Sequence, residues 1–369
     1  MNSAVIGLGF GDEGKGLVTE YLCSKSTNLL VVRYSGGQQA GHTVVKDGVR
    51  HIFSNFGSGT LSGIPTYWSK FCTVDPIAVT NELHILQKKG ITPKLYIDYK
   101  CPITTPYDAF HNQACDKFNG TCGVGVGTTI AREENHYSLL IEDLRNKTAF
   151  HMKLDLIGRY YGMHLDLRKF LKRVEEMLHH ECIVFVNHSL PWINKDNFVL
   201  EGSQGLLLDQ NIGFFPHVSR GNTGTKNILS ILGDYAFRNL DLYLVTRAYQ
   251  TRHGNGPMTN EDLPHNIKLD PDETNITNAH QGPFRRSLLD IDLLRYALYK
   301  DEGINKVLRK TLVITCLDHI KNEYRFTHKG DIVNCRDEED FIIQVSFLLD
   351  LEENVLVSES PYSNKIQKF

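Results

Sequence analysis

Long apolar runs are missing from this 369-residue chain. None approaches the roughly 18–20 residues that a membrane-spanning helix needs. An excess of one charge sign is missing too. Forty Lys and Arg against 43 Asp and Glu leave a formal charge of −3, which gives no electrostatic footprint for nucleic acid or an anionic membrane surface. The eight cysteines include no C-x-x-C pair and no Cys/His spacing of the zinc type. In a chain of this size they read as reduced, mostly buried thiols, which favours the cytoplasm. Met1-Asn2-Ser3 leads straight into an apolar run without a basic n-region or cleavage site. Repeats, low-complexity tracts and a clear linker are absent as well. The expectation is one α/β domain over 1–369 with helical and loop elaborations.

What is present is a series of short apolar runs, each ending in a polar or glycine-rich turn. Ala4–Leu8, Leu29–Val32, Phe198–Leu200, Leu242–Val245 and Leu312–Leu317 are of strand length. Continuous apolar strands imply burial on both faces, hence a mostly parallel central sheet with helices on both sides. Asp75 with Pro76 reads as a helix start, and Gly90 after Lys88-Lys89 as its stop. Leu167, Phe170, Leu171, Val174, Met177 and Leu178 recur at helical spacing and read as core. Leu289, Leu293, Leu294 and Leu298 read the same way. In such sheets ligands bind at the carboxyl ends of the strands, which is where the glycine-rich loops fall.

The first of these loops is Gly9-Phe10-Gly11-Asp12-Glu13-Gly14-Lys15-Gly16, directly behind the first apolar run. It has the form of a phosphate-binding loop, in which backbone N–H groups cradle phosphate oxygens and the lysine adds a point charge. Gly16 stands where Ser or Thr normally supplies a hydroxyl to magnesium. Asp12 is a carboxylate able to hold the metal instead, or to take a proton from a substrate.

A second loop, Tyr34 to Thr43, carries Gly36, Gly37 and Gly41 with His42, a side chain suited to general acid work near neutral pH. A third runs from Gly120 through Thr121, Cys122, Val124 and Gly125 to Thr129, equally an anion cradle or a surface loop. A fourth, Glu201-Gly202-Ser203-Gln204-Gly205, is followed by His217 to Gly224. There Ser219 and Thr223 have hydroxyls for phosphate, and the Gln204 amide suits the edge of a base. Arg285-Arg286, ahead of an expected helix, suits a carboxylate or phosphate.

Taken together and in order, these segments resemble the adenylosuccinate synthetase family. The resemblance rests on Gly11–Gly16, Ala40–Thr43, Val74-Asp75-Pro76, Glu201–Gly205 with Leu207-Leu208-Asp209, and Asn222-Thr223. It continues through Thr251-Arg252-His253-Gly254-Asn255-Gly256-Pro257, Arg285-Arg286 and Thr315-Cys316-Leu317-Asp318. It implies a GTP-dependent ligase that phosphorylates the 6-oxygen of IMP and replaces the phosphate with L-aspartate. A lactam oxygen leaves poorly and a phosphate leaves well, which is the chemical reason for two steps. By resemblance Asp12 removes the N1 proton and binds Mg²⁺ together with the Gly41 carbonyl, and His42 stabilises the transferring phosphoryl group. Gly11, Glu13, Gly14, Lys15, Gly16, Thr43 and Asp318 are implied at GTP, with Asp318 accepting from the guanine. Gln39, Thr121, Gln204, Ser219 and Thr223 are implied at the substrate nucleotide, and Gly282, Arg285 and Arg286 at the amino acid. The family also implies a homodimer.

The chain resembles a divergent, shortened member. Pro283 and Phe284 stand at two expected arginine positions. Cys122 and Val124 replace a threonine and an arginine, and His136 lies where an arginine reaches the other subunit. Gln39 replaces an asparagine, and Cys316 a lysine near the guanine. Losing an arginine from a carboxylate clamp removes roughly 1.5–3 kcal/mol, so the amino-acid pocket departs most. Three alternatives stand beside the main expectation: the same chemistry on dGMP, another amino acid, and a purine sensor without turnover. Retention of Asp12 favours IMP.

Overall fold

A computed structural model describes residues 2–115, 121–187, 197–268, 282–321 and 323–369. The elements run in chain order β1 (Asn2–Gly7), α1 (Lys15–Cys23), β2 (Leu29–Arg33), β3 (His42–Lys46), β4 (Val49–Phe53), β5 (Thr66–Trp68), α2 (Pro76–Lys88), β6 (Leu95–Asp98), α3 (Pro106–Cys115), α4 (Val126–Glu134), α5 (Lys147–Tyr161), α6 (Arg168–His179) and β7 (Ile183–Val186). They continue with β8 (Asn197–Gly205), α7 (Thr225–Leu232), α8 (Asp234–Arg238), β9 (Asp241–Arg247), β10 (Tyr249–His253), β11 (Phe284–Asp290), α9 (Ile291–Lys300), β12 (Arg309–Thr315), β13 (Arg325–His328), β14 (Asp331–Asn334), α10 (Glu338–Leu348), β15 (Val355–Val357) and β16 (Gln367–Lys368).

Ten strands form the main sheet in the order β16-β15-β12-β9-β1-β8-β2-β5-β6-β7. Every pairing is parallel except that of the edge strand β16 with β15. Alternate residues of β1 go to opposite faces, as a strand buried on both sides requires. Ala4 and Ile6 join a core with Ile228, Leu294 and Phe341 of α7, α9 and α10. Val5 joins Leu17, Val18 and Leu22 of α1 on the other face. The expected mostly parallel sheet with helices on both faces is what the chain forms.

Local signals act as their chemistry dictates. The Asp75 carboxylate accepts from the N–H groups of Ile77 and Ala78 at the start of α2, and Gly90 follows its end with φ 76°. Phe170, Val174 and Met177 are the buried stripe of α6.

One expectation is corrected. Leu289 belongs not to a helix but to β11, where it pairs with Phe326 of β13. The 289/293/294/298 spacing continues a helical pattern backwards across a strand end, and Asp290 marks the true start by capping α9. Arg285 and Arg286 are therefore strand residues, opposite Arg252 and Thr251 of β10 in a four-stranded sheet ordered β10-β11-β13-β14.

Candidate active site

β1 points its carboxyl end at the first glycine-rich loop, and the neighbouring strands hold that loop from outside. Three consecutive carbonyls are each gripped by a side chain from a different strand. Thr251 Oγ1 donates to Gly11 O at 3.3 Å, Arg247 Nε to Asp12 O at 2.5 Å, and Thr315 Oγ1 to Glu13 O at 2.8 Å. Inside the loop, the buried Glu13 carboxylate accepts from Gly9 N at 3.0 Å and Gly11 N at 2.8 Å, and pairs with Lys15 Nζ at 2.5 Å. A Cβ at Gly205 would overlap both Gly9 O and that carboxylate, so the fourth loop can lie against the first only as glycine.

The second loop packs onto the beginning of α1. A Cβ at Gly16 would stand 2.8 Å from His42 Cβ and 3.0 Å from Ser58 Oγ. This is the steric reason why a phosphate-binding loop here ends in Lys-Gly rather than Lys-Ser. His42 Nδ1 lies 2.6 Å from Oε1 of Glu201, midway along β8. Glu201 also accepts from Ser58 N at 3.1 Å and from the Ser58 hydroxyl. Burial alone would raise the Glu201 pKa, but His42, Arg33 and Ser58 together hold it down to about 2. An ionised Glu201 can only accept, so His42 carries its proton on Nδ1 and presents Nε2 away from Glu201. Burial lowers the His42 pKa and Glu201 opposes that shift.

Asp12, Glu13, Gly14, Lys15, Gly16, Gly41, His42, Thr43, Gln204 and Asp318 line one cleft, together with Arg50, Arg247, Cys316 and His319. It encloses roughly 1070 Å³ of empty space, open solvent at its mouth included. Three non-glycine residues in it, Asp12 (φ 61°), Gln204 (φ 60°) and Cys316 (φ 59°), have left-handed backbones. Such conformations cost energy and persist where the surroundings impose them, most often at sites of chemistry. The Asp12 pKa is raised, by burial first, with Arg247, His253 and Lys15 pulling the other way. His253 Nδ1 stands 3.9 Å from its carboxylate. Asp318 is also raised, by burial first, against the pull of His319. Gly11 lies under Gln204, where an added Cβ would sit 3.6 Å from Oε1.

The other residues singled out from sequence lie outside this cleft lining. Thr223 donates its hydroxyl to Gly205 O at 3.0 Å and its N–H to Asp209 at 2.6 Å, which anchors the Gln204 loop. Thr121 accepts from Asn112 Nδ2 at 2.9 Å. Ser219 is half-buried and its N–H bonds Leu208 O at 2.8 Å. Gln39 buries its Oε1 without a hydrogen-bond partner. Gly282 has φ 88°. Arg285 is bound to Glu261 at 2.8 and 2.9 Å and to the carbonyls of Gly254 and Gly256, whereas Arg286 donates to Ile267 O at 3.2 Å. Gly120, His280 and Gln281 fall outside the described residues.

Comparison with known proteins decides the family. The adenylosuccinate synthetase family model matches residues 4–344. The chain belongs to the adenylosuccinate synthetase family. Among its relatives, the adenylosuccinate synthetase of Psychromonas ingrahamii is 30% identical over 359 residues, covering 89% of this chain and 82% of that protein. That of Francisella philomiragia is 30% identical over 362 residues, covering 90% and 83%. The fully ligated adenylosuccinate synthetase of Plasmodium falciparum shares the fold with a TM-score of 0.77 at 18% identity, covering 99% of both chains. The succinoaminodeoxyadenylate synthetase of cyanophage S-2L, bound to dGMP and to dATP as an energy donor, shares it with a TM-score of 0.67 at 14% identity, covering 100% of this chain and 95% of that one. The chain is a GTP-dependent ligase of purine biosynthesis that joins IMP and aspartate through a C–N bond.

The Glu201 segment is visible in sequence, but its pairing with His42 and the contacts of Ser58, Arg247, Tyr249 and His319 are not. The available signal was an acidic residue opening a glycine-rich loop one strand away from a histidine loop.

Proposed function

We propose that the cleft performs both steps of adenylosuccinate formation with Asp12, Lys15, His42, Gln204 and Asp318 as its working groups. The observation that carries this reading is that five residues from four separate loops line one cleft. Asp12 takes the N1 proton of IMP, for which its raised pKa suits it. Gln204 holds the purine 6-position. His42, oriented by Glu201, stabilises the transferring phosphoryl group. Lys15 exchanges Glu13 for a phosphate oxygen, and the loop N–H groups complete the cradle. Asp318 accepts from the guanine of GTP, a donor pattern that adenine lacks.

Mg²⁺ suits this donor set. Asp12 and the Gly41 carbonyl are hard oxygen ligands, and among the described residues no group of three His, Cys, Asp or Glu could cage a metal. Few protein ligands plus substrate phosphates is the usual magnesium arrangement. When bound, the ion neutralises charge on the phosphate oxygens.

A homodimer is supported by the exposed apolar side chains Met152 and Leu156, spaced by four on α5. Tyr160, four further on, packs its ring at a tilt against Tyr137, beside His136, with centroids 4.4 Å apart. Eight free cysteines support a cytoplasmic setting.

The test is product mass after incubation with GTP, Mg²⁺, aspartate and either IMP or dGMP. Adenylosuccinate with GDP and phosphate is expected from IMP, and phosphate release should need both co-substrates. Product from dGMP alone would move the chain to the 2-aminoadenine chemistry. GTP binding without turnover on any acceptor would make it a sensor.

A further inference from the structure

A chain of largely buried side chains runs along the wall of the cleft, with Arg247 and His319 in its lining. Arg247, the last residue of β9, donates Nε to Asp12 O at 2.5 Å and Nη1 to Tyr249 Oη at 2.6 Å. Tyr249 Oη lies 2.8 Å from His319 Nδ1, and His319 Nε2 stands 3.6 Å from Asp318 Oδ2. Arg247 is 7%, Tyr249 2% and His319 9% exposed, so water screens the contacts among these three little, while Asp318 is 30% exposed to the cleft. The β9–β10 turn is pinned to the end of β12 by Ala248 N donating to Thr315 O at 2.9 Å.

The arginine fixes one proton, and the His319 tautomer fixes the rest. An arginine can only donate, so Tyr249 Oη accepts from it and has its own proton free for His319 Nδ1. A neutral imidazole accepting at Nδ1 carries its proton on Nε2, the atom facing Asp318. With His319 in that tautomer each link has one direction, and moving Asp318 changes what His319 faces. At the far end the chain grips the carbonyl of a residue whose left-handed backbone must be held in place.

We propose that Arg247, Tyr249 and His319 are positioning residues that couple base recognition at Asp318 to the placement of the Asp12 loop. This rests on the reading of Asp318 as the residue that meets the donor base. In this arrangement the donor's guanine raises kcat as well as lowering KM, because engaging Asp318 tightens the loop that carries the proton-abstracting carboxylate 235 residues from Arg247.

The probe that separates coupling from phosphate binding is guanosine, which has the base and no phosphate. Amide hydrogen exchange on the full chain should slow with guanosine at both 316–321 and 9–16, and in Asp318→Asn at neither. In Tyr249→Phe the slowing should persist at 316–321 and disappear at 9–16. His319→Asn, which keeps a polar group near the position of Nδ1, should retain the slowing at 9–16, and His319→Leu should lose it. In turnover, Tyr249→Phe should lower kcat with GTP about tenfold, with KM for GTP little changed. Its kcat with ITP, which lacks the 2-amino group, should fall far less.

Equal kcat losses on the two donors, or wild-type slowing at 316–321 without slowing at 9–16, overturns the coupling. Slowing at neither segment overturns it together with the base assignment. Wild-type protein that shows both responses to guanosine yet makes no adenylosuccinate leaves the coupling supported and overturns the ligase reading alone.

Discussion

Glu201 and His42, 159 residues apart in sequence, meet at 2.6 Å beneath the cleft. Glu201 is held ionised to about pH 2 by His42, Arg33 and Ser58, against about 4.5 for a solvated glutamate. A folded pKa below the unfolded one contributes stability that is full above the unfolded value and is lost as pH falls toward the folded one. Ionisation of Glu201 therefore favours the folded state above about pH 4.5, and that contribution is lost as pH falls toward 2. In Glu201→Gln, urea midpoints should fall at neutral pH, and the loss of stability between pH 4.5 and 2 should flatten. The kcat should drop as His42 loses its orientation. An unchanged acid limb of the stability profile would remove Glu201 from this role.

Glu13 is the natural competitor of the nucleotide. Its carboxylate occupies two loop N–H groups and the Lys15 ammonium, and its pairing with Lys15 is buried. Breaking a buried pair by removing one charge typically costs about 3–5 kcal/mol. Glu13→Gln should accordingly lower the Tm of the free protein, and added GTP with Mg²⁺ should raise Tm by more than it does in wild type, since phosphate then supplies the missing anion. Thermal melts with and without nucleotide check both halves.

Much of this arrangement is legible in sequence, and the rest is hidden for a physical reason. Glycine-rich loops at strand ends, the Asp75 cap and the order of motifs announce themselves locally, because turns and caps are short-range chemistry. The partners are long-range. Nothing near His42 points to Glu201, and nothing near Asp12 points to Arg247. These contacts exist because β8 and β9 flank β1 in the sheet order. Leu289 fails for the complementary reason: its helical spacing is real, but the hydrogen bonds of β10 and β13 outweigh it.

Asp12 must be ionised to take the purine proton, and burial raises its pKa. The acid limb of kcat/KM should therefore lie above the ordinary aspartate range, with activity lost as pH falls through it. Asp12→Asn should reduce kcat by about 10³-fold or more while GTP still binds. Rate–pH profiles and a nucleotide titration of the variant check the two parts. A near-normal rate would place proton removal on another group.

Arg285 and Arg286 share a strand but not a task. Arg285 spends its donors on Glu261, Gly254 O and Gly256 O, which leaves it charge-neutralised and holding the Gly254–Gly256 turn. Arg286 sits opposite Thr251, whose hydroxyl grips Gly11 O in the first loop, so it lies on the side of the strand nearest Asp12. With Pro283 and Phe284 in place of further cations, Arg286 is the expected anchor of the amino-acid carboxylate. A charge-assisted bond of roughly 1.5–3 kcal/mol corresponds to about a ten- to hundredfold change in binding. Arg286→Ala should raise KM for aspartate by about that factor, with KM for IMP nearly unchanged. Arg285→Ala should instead lower Tm and act on both substrates. Initial rates over aspartate and IMP distinguish the two, and a reversed pattern would exchange their roles.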